Sequence, residues 1–284
     1  MHYRARPILF RLFLTLLCIE SAHAAIQITN GQSALIDQFP WDAEIIMQGT
    51  PVNAENMGGC GGTLIAPQWV LTAGHCAINY FPGFMPEAVI GATNFSNADH
   101  YEQLPIDDII IHPNFKKYLP NKIMGNLAYD FALLHLSKPA KTTPIALISA
   151  DSTAATPGHS AITMGWGNTG AGLSEKLMYV NIPINSAADC ENLYQYNDEK
   201  WFNKDIMICA GSTAGARYNA ARGDSGGPLV VEENGTYYLA GVVSWGDPND
   251  PSFQLPNPAA FARISAVENW LFQTISTYDE TSKL

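Results

Sequence analysis

Gly223-Asp224-Ser225-Gly226-Gly227-Pro228 is the stretch on which the reading of this chain turns. A serine hydroxyl is a weak nucleophile at neutral pH. It needs a base to accept its proton and donors for the oxyanion that attack creates. Glycines on both sides of Ser225 let the backbone turn sharply and aim N–H groups at a bound carbonyl oxygen.

A lone Gly-x-Ser-x-Gly also describes the nucleophile turn of α/β-hydrolases, in which the serine is followed by an acid and then a histidine. All seven histidines here precede Ser225, so its base must lie upstream. His75, in Leu71-Thr72-Ala73-Gly74-His75-Cys76, is the candidate, because a tethered Cys76 would hold the imidazole still. His112 and His135 read as structural. The acid that fixes the tautomer of the histidine is expected at Asp130, which opens the apolar run Phe131-Ala132-Leu133-Leu134. Burial there is costly unless a donor such as His75 compensates. Asp107 and Asp108 read as solvated.

Outward from these segments the chain consists of short β-rich runs between turn signals. They include Thr63-Leu64-Ile65, Trp69-Val70-Leu71, Ile109-Ile110-Ile111, Phe131 to Leu136, Leu229-Val230-Val231, Tyr237 to Ala240 and Gly241 to Ser244. The spacing predicts an all-β antiparallel barrel or sandwich. Near the C-terminus Val267, Trp270, Leu271, Phe272 and Ile275 fall largely at helical spacing. Ser265 and Glu268 fit a capping box before them, and Tyr278 to Leu284 read as frayed.

Taken together, the three segments resemble the chymotrypsin-like (trypsin-like) serine proteases. The resemblance covers nearly all of residues 28–275 and includes Ile28-Thr29-Asn30-Gly31, Phe39-Pro40-Trp41, Gly165-Trp166-Gly167 and Ser244-Trp245-Gly246. It implies two six-stranded antiparallel Greek-key β-barrels with a C-terminal α-helix. It implies that Ser225 attacks the scissile carbonyl, that His75 relays the proton, and that Asp130 orients His75. The backbone N–H groups of Gly223 and Ser225 would form the oxyanion hole, and Ser244 would support the buried aspartate. The substrate-binding positions implied are Asn219, Arg222, Ser244, Trp245, Gly246 and Ala259. Disulfides Cys60–Cys76 and Cys190–Cys209 are implied as well, whereas the spacing alone leaves three pairings open. No metal or organic cofactor is required.

Several positions depart from the family pattern. Gly74 replaces a usual alanine, a change expected to be tolerated. Ala221 stands where a cysteine is common, and the usual partner after Gly246 is missing too, which reads as a lost disulfide. Asn219 occupies the pocket base, where trypsin-like enzymes carry aspartate, and the methyl of Ala259 would narrow the pocket. A neutral residue before the scissile bond is therefore expected. Arg222 at the rim reads as solvated. Ile28 aligns with the new N-terminus of activated members, whose ammonium pairs with Asp224. Gln27 before it argues against trypsin-type activation and leaves Ile26-Gln27 as a dipeptide like that removed from granule-type proteases. A calcium loop is not expected, since Ala92 stands at a ligand position and Asp99 and Glu102 are a thin set.

The first 25 residues read as a signal peptide: Arg4, Arg6 and Arg11, an apolar run Leu12 to Ile19, and cleavage after Ala24 or Ala25. Residues 26–27 then form a short propeptide and 28–284 the protease domain. That run is too short to span a bilayer, so the chain is expected to be secreted, with no membrane association after processing. Of five cysteines, removal of Cys18 leaves four, an even set suited to an oxidising compartment. The net charge is −11. Since segment 1–27 carries three arginines and one glutamate, the remainder carries −13. An acidic surface repels phosphate, which excludes nucleic acid as a partner class. Expected partners are protein or peptide substrates and protein protease inhibitors, with the chain a monomer. Asn94-Phe95-Ser96 and Asn234-Gly235-Thr236 are glycosylation sequons. A catalytically silent homologue that binds a partner through this scaffold is the alternative, though such proteins usually lose a triad residue. A cascade protease would carry an appended recognition domain, for which residues 25–30 leave no room; a simple digestive, venom or defence enzyme fits better.

Overall fold

The computed structural model describes residues 31–53, 55–56, 59–80, 85–96, 100–115, 127–167, 173–196, 199–212, 220, 222–246 and 257–281. The first half is a closed barrel. Its strands run in the order Asp42–Met47, Cys60–Ala66, Trp69–Thr72, Ala132–Leu136, Glu102–Ile111 and Pro86–Ile90, which pairs back onto Asp42–Met47. Every neighbouring pair is antiparallel.

In the second half six strands follow the order Met178–Pro183, Ser160–Gly165, Pro228–Glu233, Thr236–Trp245, Ala259–Arg263 and Met207–Ala210. The two ends of this sheet meet. Ile184 bridges Ala210, Asn185 N donates to Cys209 O at 2.8 Å, and Gly211 N donates to Pro183 O at 2.9 Å. Short strands Gln32–Ser33 and Ala146–Leu147 add to its outside. The fold is thus the all-β, two-barrel architecture that the resemblance implies.

Closure satisfies the edge N–H and C=O groups that an open sheet would leave exposed. One apolar core runs through both halves, from Leu64, Val70 and Leu133 to Leu229, Val242 and Phe261. A smaller cluster around Trp245, Tyr194, Trp201 and Phe202 lies beside Cys190 and Cys209.

Local chemistry departs from the sequence expectation in three places. The runs 237–240 and 241–244 form one continuous strand, Thr236–Trp245. Gly241 lies inside it because a Cβ there would come within 3.1 Å of Phe261 Cβ, so glycine serves packing rather than a turn. The turn lies instead at Asn234-Gly235, where φ values of 54° and 78° suit a two-residue hairpin.

The second departure concerns Ser265. It caps nothing: Ile264–Ala266 form a 3₁₀ turn closed by Val267 N to Ile264 O at 2.9 Å, and the α-helix begins only at Glu268. Among the described residues the capping box is that of Ser186 with Asp189, at the helix Ala187–Leu193. The third departure is Tyr278, which belongs to the helix Glu268–Thr281 and is packed against rings. Its own ring lies 5.0 Å from Trp69 and 4.5 Å from His135. Trp270 likewise meets His112 at 4.6 Å. The helix leaves the last strand of the second barrel and belts the first, burying Leu271 while Phe272 faces outward. Among the described residues no helix is long and apolar enough to cross a membrane.

Candidate active site

Strand Trp69–Thr72 ends at Ala73, and the helix Gly74–Tyr80 begins with His75 in its first turn. Gly74 sits tight. A Cβ there would lie 3.1 Å from the Phe115 ring and 3.1 Å from Phe131 O, which gives the departure from alanine a steric reason. Asp130 follows Tyr129, whose φ of 53° and the Phe131 N to Tyr129 O bond of 2.8 Å make a tight reversal ahead of the strand.

Asp130 is 0% exposed and is bonded on both oxygens. Its Oδ1 accepts from the backbone N of His75 at 2.8 Å. Its Oδ2 accepts from His75 Nδ1 at 2.7 Å and from Ser244 Oγ at 2.5 Å. Three donors offset the desolvation of a buried carboxylate. With Nδ1–H committed to Asp130, the free acceptor of a neutral His75 is Nε2. Burial pushes the His75 imidazole down, the Asp130 charge and hydrogen bond push it up, and the balance lies above the ordinary histidine value.

Ser225 is half-buried, and its turn is pressed against the first barrel. Ser225 O accepts from Gly61 N at 2.7 Å, and Gly61 follows Cys60, which is disulfide-bonded to Cys76 next to His75. The Cys76 sulfur lies 3.8 Å from His75 Nε2 and 3.6 Å from Ser225 O. The glycines after the serine are demanded by this approach. At Gly226, with φ of 82°, a Cβ would fall 2.2 Å from Thr72 Oγ1 and 2.4 Å from Gly61 O. On the other side Gly223 takes φ of 104°, a conformation that suits glycine. Between them Asp224 is buried and accepts from Gly167 N at 2.8 Å. Gly165 and Gly167 make room for it, since a Cβ on either would collide with the Asp224 carboxyl.

The disulfides Cys60–Cys76 and Cys190–Cys209 are both formed, with Cα separations of 6.1 and 5.9 Å. Ligand atoms of Cys60, His75 and Cys76 lie within 4.8 Å of one another, but the two sulfurs are bonded together and leave no metal-binding trio. Glu102 is engaged elsewhere: it accepts from Lys141 N, Thr142 N and Thr142 Oγ1 at 2.9 Å each. Trp245 and Gly246, at the end of strand Thr236–Trp245, and Ala259, at the start of strand Ala259–Arg263, are buried, and Arg222 is exposed. Asn219, Ala221, Asp99 and Ile28 lie outside the described residues, as do residues 1–27, where a signal peptide and propeptide were expected.

Sequence reasoning missed four features. The His75 backbone donor and the close packing at Gly74 carry no sequence signal. Asp107, expected to be solvated, holds His135 Nδ1 at 2.5 Å, although it is 48% exposed. Asp42 and Glu44 are both buried, an arrangement that a β-run containing two acids could have flagged.

The fold and this constellation define a two-barrel protein with a serine, a histidine and a buried aspartate at the barrel junction. Residues 28–271 match the trypsin family model, and the chain belongs to that family. It is 34% identical over 224 residues to trypsin-2 of Salmo salar, covering 77% of this chain and 86% of that one. It is 28% identical over 251 residues to trypsin of Saccharopolyspora erythraea, covering 88% and 98%. Serine proteinase stubble of Drosophila melanogaster is 29% identical over 266 residues, which cover 89% of this chain but only 32% of that protein.

Proposed function

We propose that the chain is a secreted serine endopeptidase in which Ser225 is the nucleophile, His75 the base and Asp130 the orienting acid. The observation that carries this reading is the bonding of Asp130. Both oxygens of a fully buried carboxylate are committed to His75 and Ser244, which fixes the imidazole with Nε2 free, beside the turn that bears Ser225.

In the reaction, Ser225 Oγ attacks the peptide carbonyl as its proton passes to Nε2 of His75. The imidazolium formed is stabilised by Asp130, which remains ionised. The oxyanion is received by the N–H groups of Gly223 and Ser225. His75 then protonates the leaving amine, and water resolves the acyl-enzyme by the same steps in reverse roles. Ile28 is the mature N-terminus in this reading, with its ammonium on Asp224, after loss of the signal peptide and of Ile26-Gln27. The substrate carries a neutral residue before the scissile bond, because Asn219 brings no charge to the pocket base and Ala259 narrows it. Asn234 is the better glycan acceptor, since it stands exposed at a hairpin tip, whereas Asn94 is half-buried and its backbone bridges Lys176.

Profiling of a peptide library with protein beginning at Ile28 tests the reading. Cleavage after neutral residues, abolished in Ser225→Ala, is the expected outcome. Cleavage mainly after Arg or Lys would refute the specificity, and cleavage that survives Ser225→Ala would refute the nucleophile.

A further inference from the structure

Asp130 stands between Tyr129 and Phe131, and one residue, His112, grips both of these neighbours. His112 follows the strand Glu102–Ile111 and is 6% exposed. Its backbone N donates to Phe131 O at 3.0 Å. Its ring lies on the ring of Tyr129, with centroids 4.9 Å apart and planes 5° from parallel. Tyr129 carries a φ of 53°. A residue other than glycine rarely keeps that conformation unless its surroundings hold it there. The His112 ring also meets Trp270, of the helix Glu268–Thr281, edge to face at 4.6 Å.

The ring is fixed from within its own turn as well. Asn114 N donates to His112 Nδ1 at 3.1 Å, which commits that nitrogen as an acceptor and leaves the ring proton on Nε2. Burial pushes the imidazole below the ordinary histidine value, which favours this neutral form. The turn is closed by Phe115 N to His112 O at 2.9 Å. Phe115 packs at Gly74, where an added Cβ would sit 3.1 Å from its ring. One short turn therefore meets the chain on both sides of Asp130 and at the residue before His75.

We propose that His112 is a positioning residue for Asp130, an inference that rests on the proteolytic reading above. Its ring holds Tyr129, its backbone holds Phe131, and the carboxylate between them is kept in line with Nδ1 and the backbone N of His75. Trp270 backs the ring, so the C-terminal helix bears on the site without touching a reacting group. Loss of the ring frees Tyr129 to leave its left-handed conformation. Asp130 then shifts from His75 Nδ1, and the imidazole loses part of the interaction that raises its value.

Steady-state kinetics across pH, on protein beginning at Ile28, test this. His112→Ala removes the ring. His112→Phe keeps a flat ring for Tyr129 and loses the Nδ1 acceptor. Tyr129→Gly keeps the turn, since glycine accepts a φ of 53°, and loses the ring that His112 holds. Tyr278→Ala is the control for weakened helix packing. His112→Ala and Tyr129→Gly are expected to lose kcat roughly ten- to a hundredfold with little change in KM. In both, the acid limb of the rate should move to lower pH, because Asp130 supports the raised value of His75 less well. His112→Phe should restore most of both effects, and Tyr278→Ala should leave the limb in place. An acid limb in Tyr129→Gly that overlays wild type would overturn the role of His112 even if His112→Ala fails to fold. An equal shift in Tyr278→Ala would overturn it too, by making the effect one of helix packing alone. A wild type that cleaves no peptide would instead overturn the protease reading itself.

Discussion

Among the described residues two histidine–aspartate contacts are present, and the shorter is that of His135 with Asp107. His135 Nδ1 lies 2.5 Å from Asp107, and His75 Nδ1 lies 2.7 Å from Asp130. Asp107 is 48% exposed, so water competes for its oxygens, and its histidine is wedged between the rings of Trp69 and Tyr278. Asp130 is buried and takes three donors, and the Cys76 sulfur spans from His75 to the Ser225 carbonyl. Separation alone does not mark a catalytic pair. What distinguishes the His75–Asp130 pair is that its carboxylate is buried and bonded on both oxygens. The His135–Asp107 contact has a half-exposed carboxylate, and exposed pairs of this kind are worth about 0–1 kcal/mol.

The sharpest way to break this comparison is to neutralise each aspartate in turn. Asp130→Asn should lower kcat by about 10⁴-fold, because an amide presents the wrong partner to Nδ1–H and the tautomer is lost. Asp107→Asn should leave kcat within about twofold, since no reacting group touches it; steady-state assays on both variants decide this. A second, smaller effect is expected at Ser244. Ser244→Ala removes one of three donors to Asp130, and a hydrogen bond to a charged group is worth about 1.5–3 kcal/mol, so kcat should fall roughly ten- to a hundredfold.

The pH dependence sharpens the same contrast. The base must be neutral to accept the serine proton, and the balance of forces on His75 raises its value above 6.5. The rate should therefore fall as pH drops through a value above 6.5, and that limb should move to lower pH in Asp130→Asn but stay in place in Asp107→Asn. Smallest of all, Tyr278→Ala should leave the profile untouched while reducing stability by about 1–2 kcal/mol, through loss of its ring contacts to Trp69 and His135. Denaturant unfolding measures that loss.

The His75–Asp130 contact was legible in the sequence and the His135–Asp107 contact was not, for a physical reason. Chain order, the glycines about Ser225 and an aspartate at the head of an apolar run are local patterns. Each one reports a constraint felt at its own position. The contact of Asp107 with His135 depends on which strands become neighbours, and no local pattern records that. The capping boxes show the same limit. Ser265-x-x-Glu268 and Ser186-x-x-Asp189 both satisfy the pattern, yet only the second caps a helix, because the first serine is taken into a 3₁₀ turn. Gly74 read as a tolerated departure until the Phe115 ring and Phe131 O were found against it.

Fluorophosphonate labelling tests the central claim most directly. Protein beginning at Ile28 would be treated in three forms, wild type, Asp130→Asn and Asp107→Asn, and the adduct mapped by peptide mass spectrometry. The account predicts stoichiometric modification of Ser225 in wild type and Asp107→Asn at matching rates, and labelling slowed by orders of magnitude in Asp130→Asn. An adduct on another serine, or equal labelling of the two aspartate variants, would contradict the assignment of His75 and Asp130 as the pair that activates Ser225.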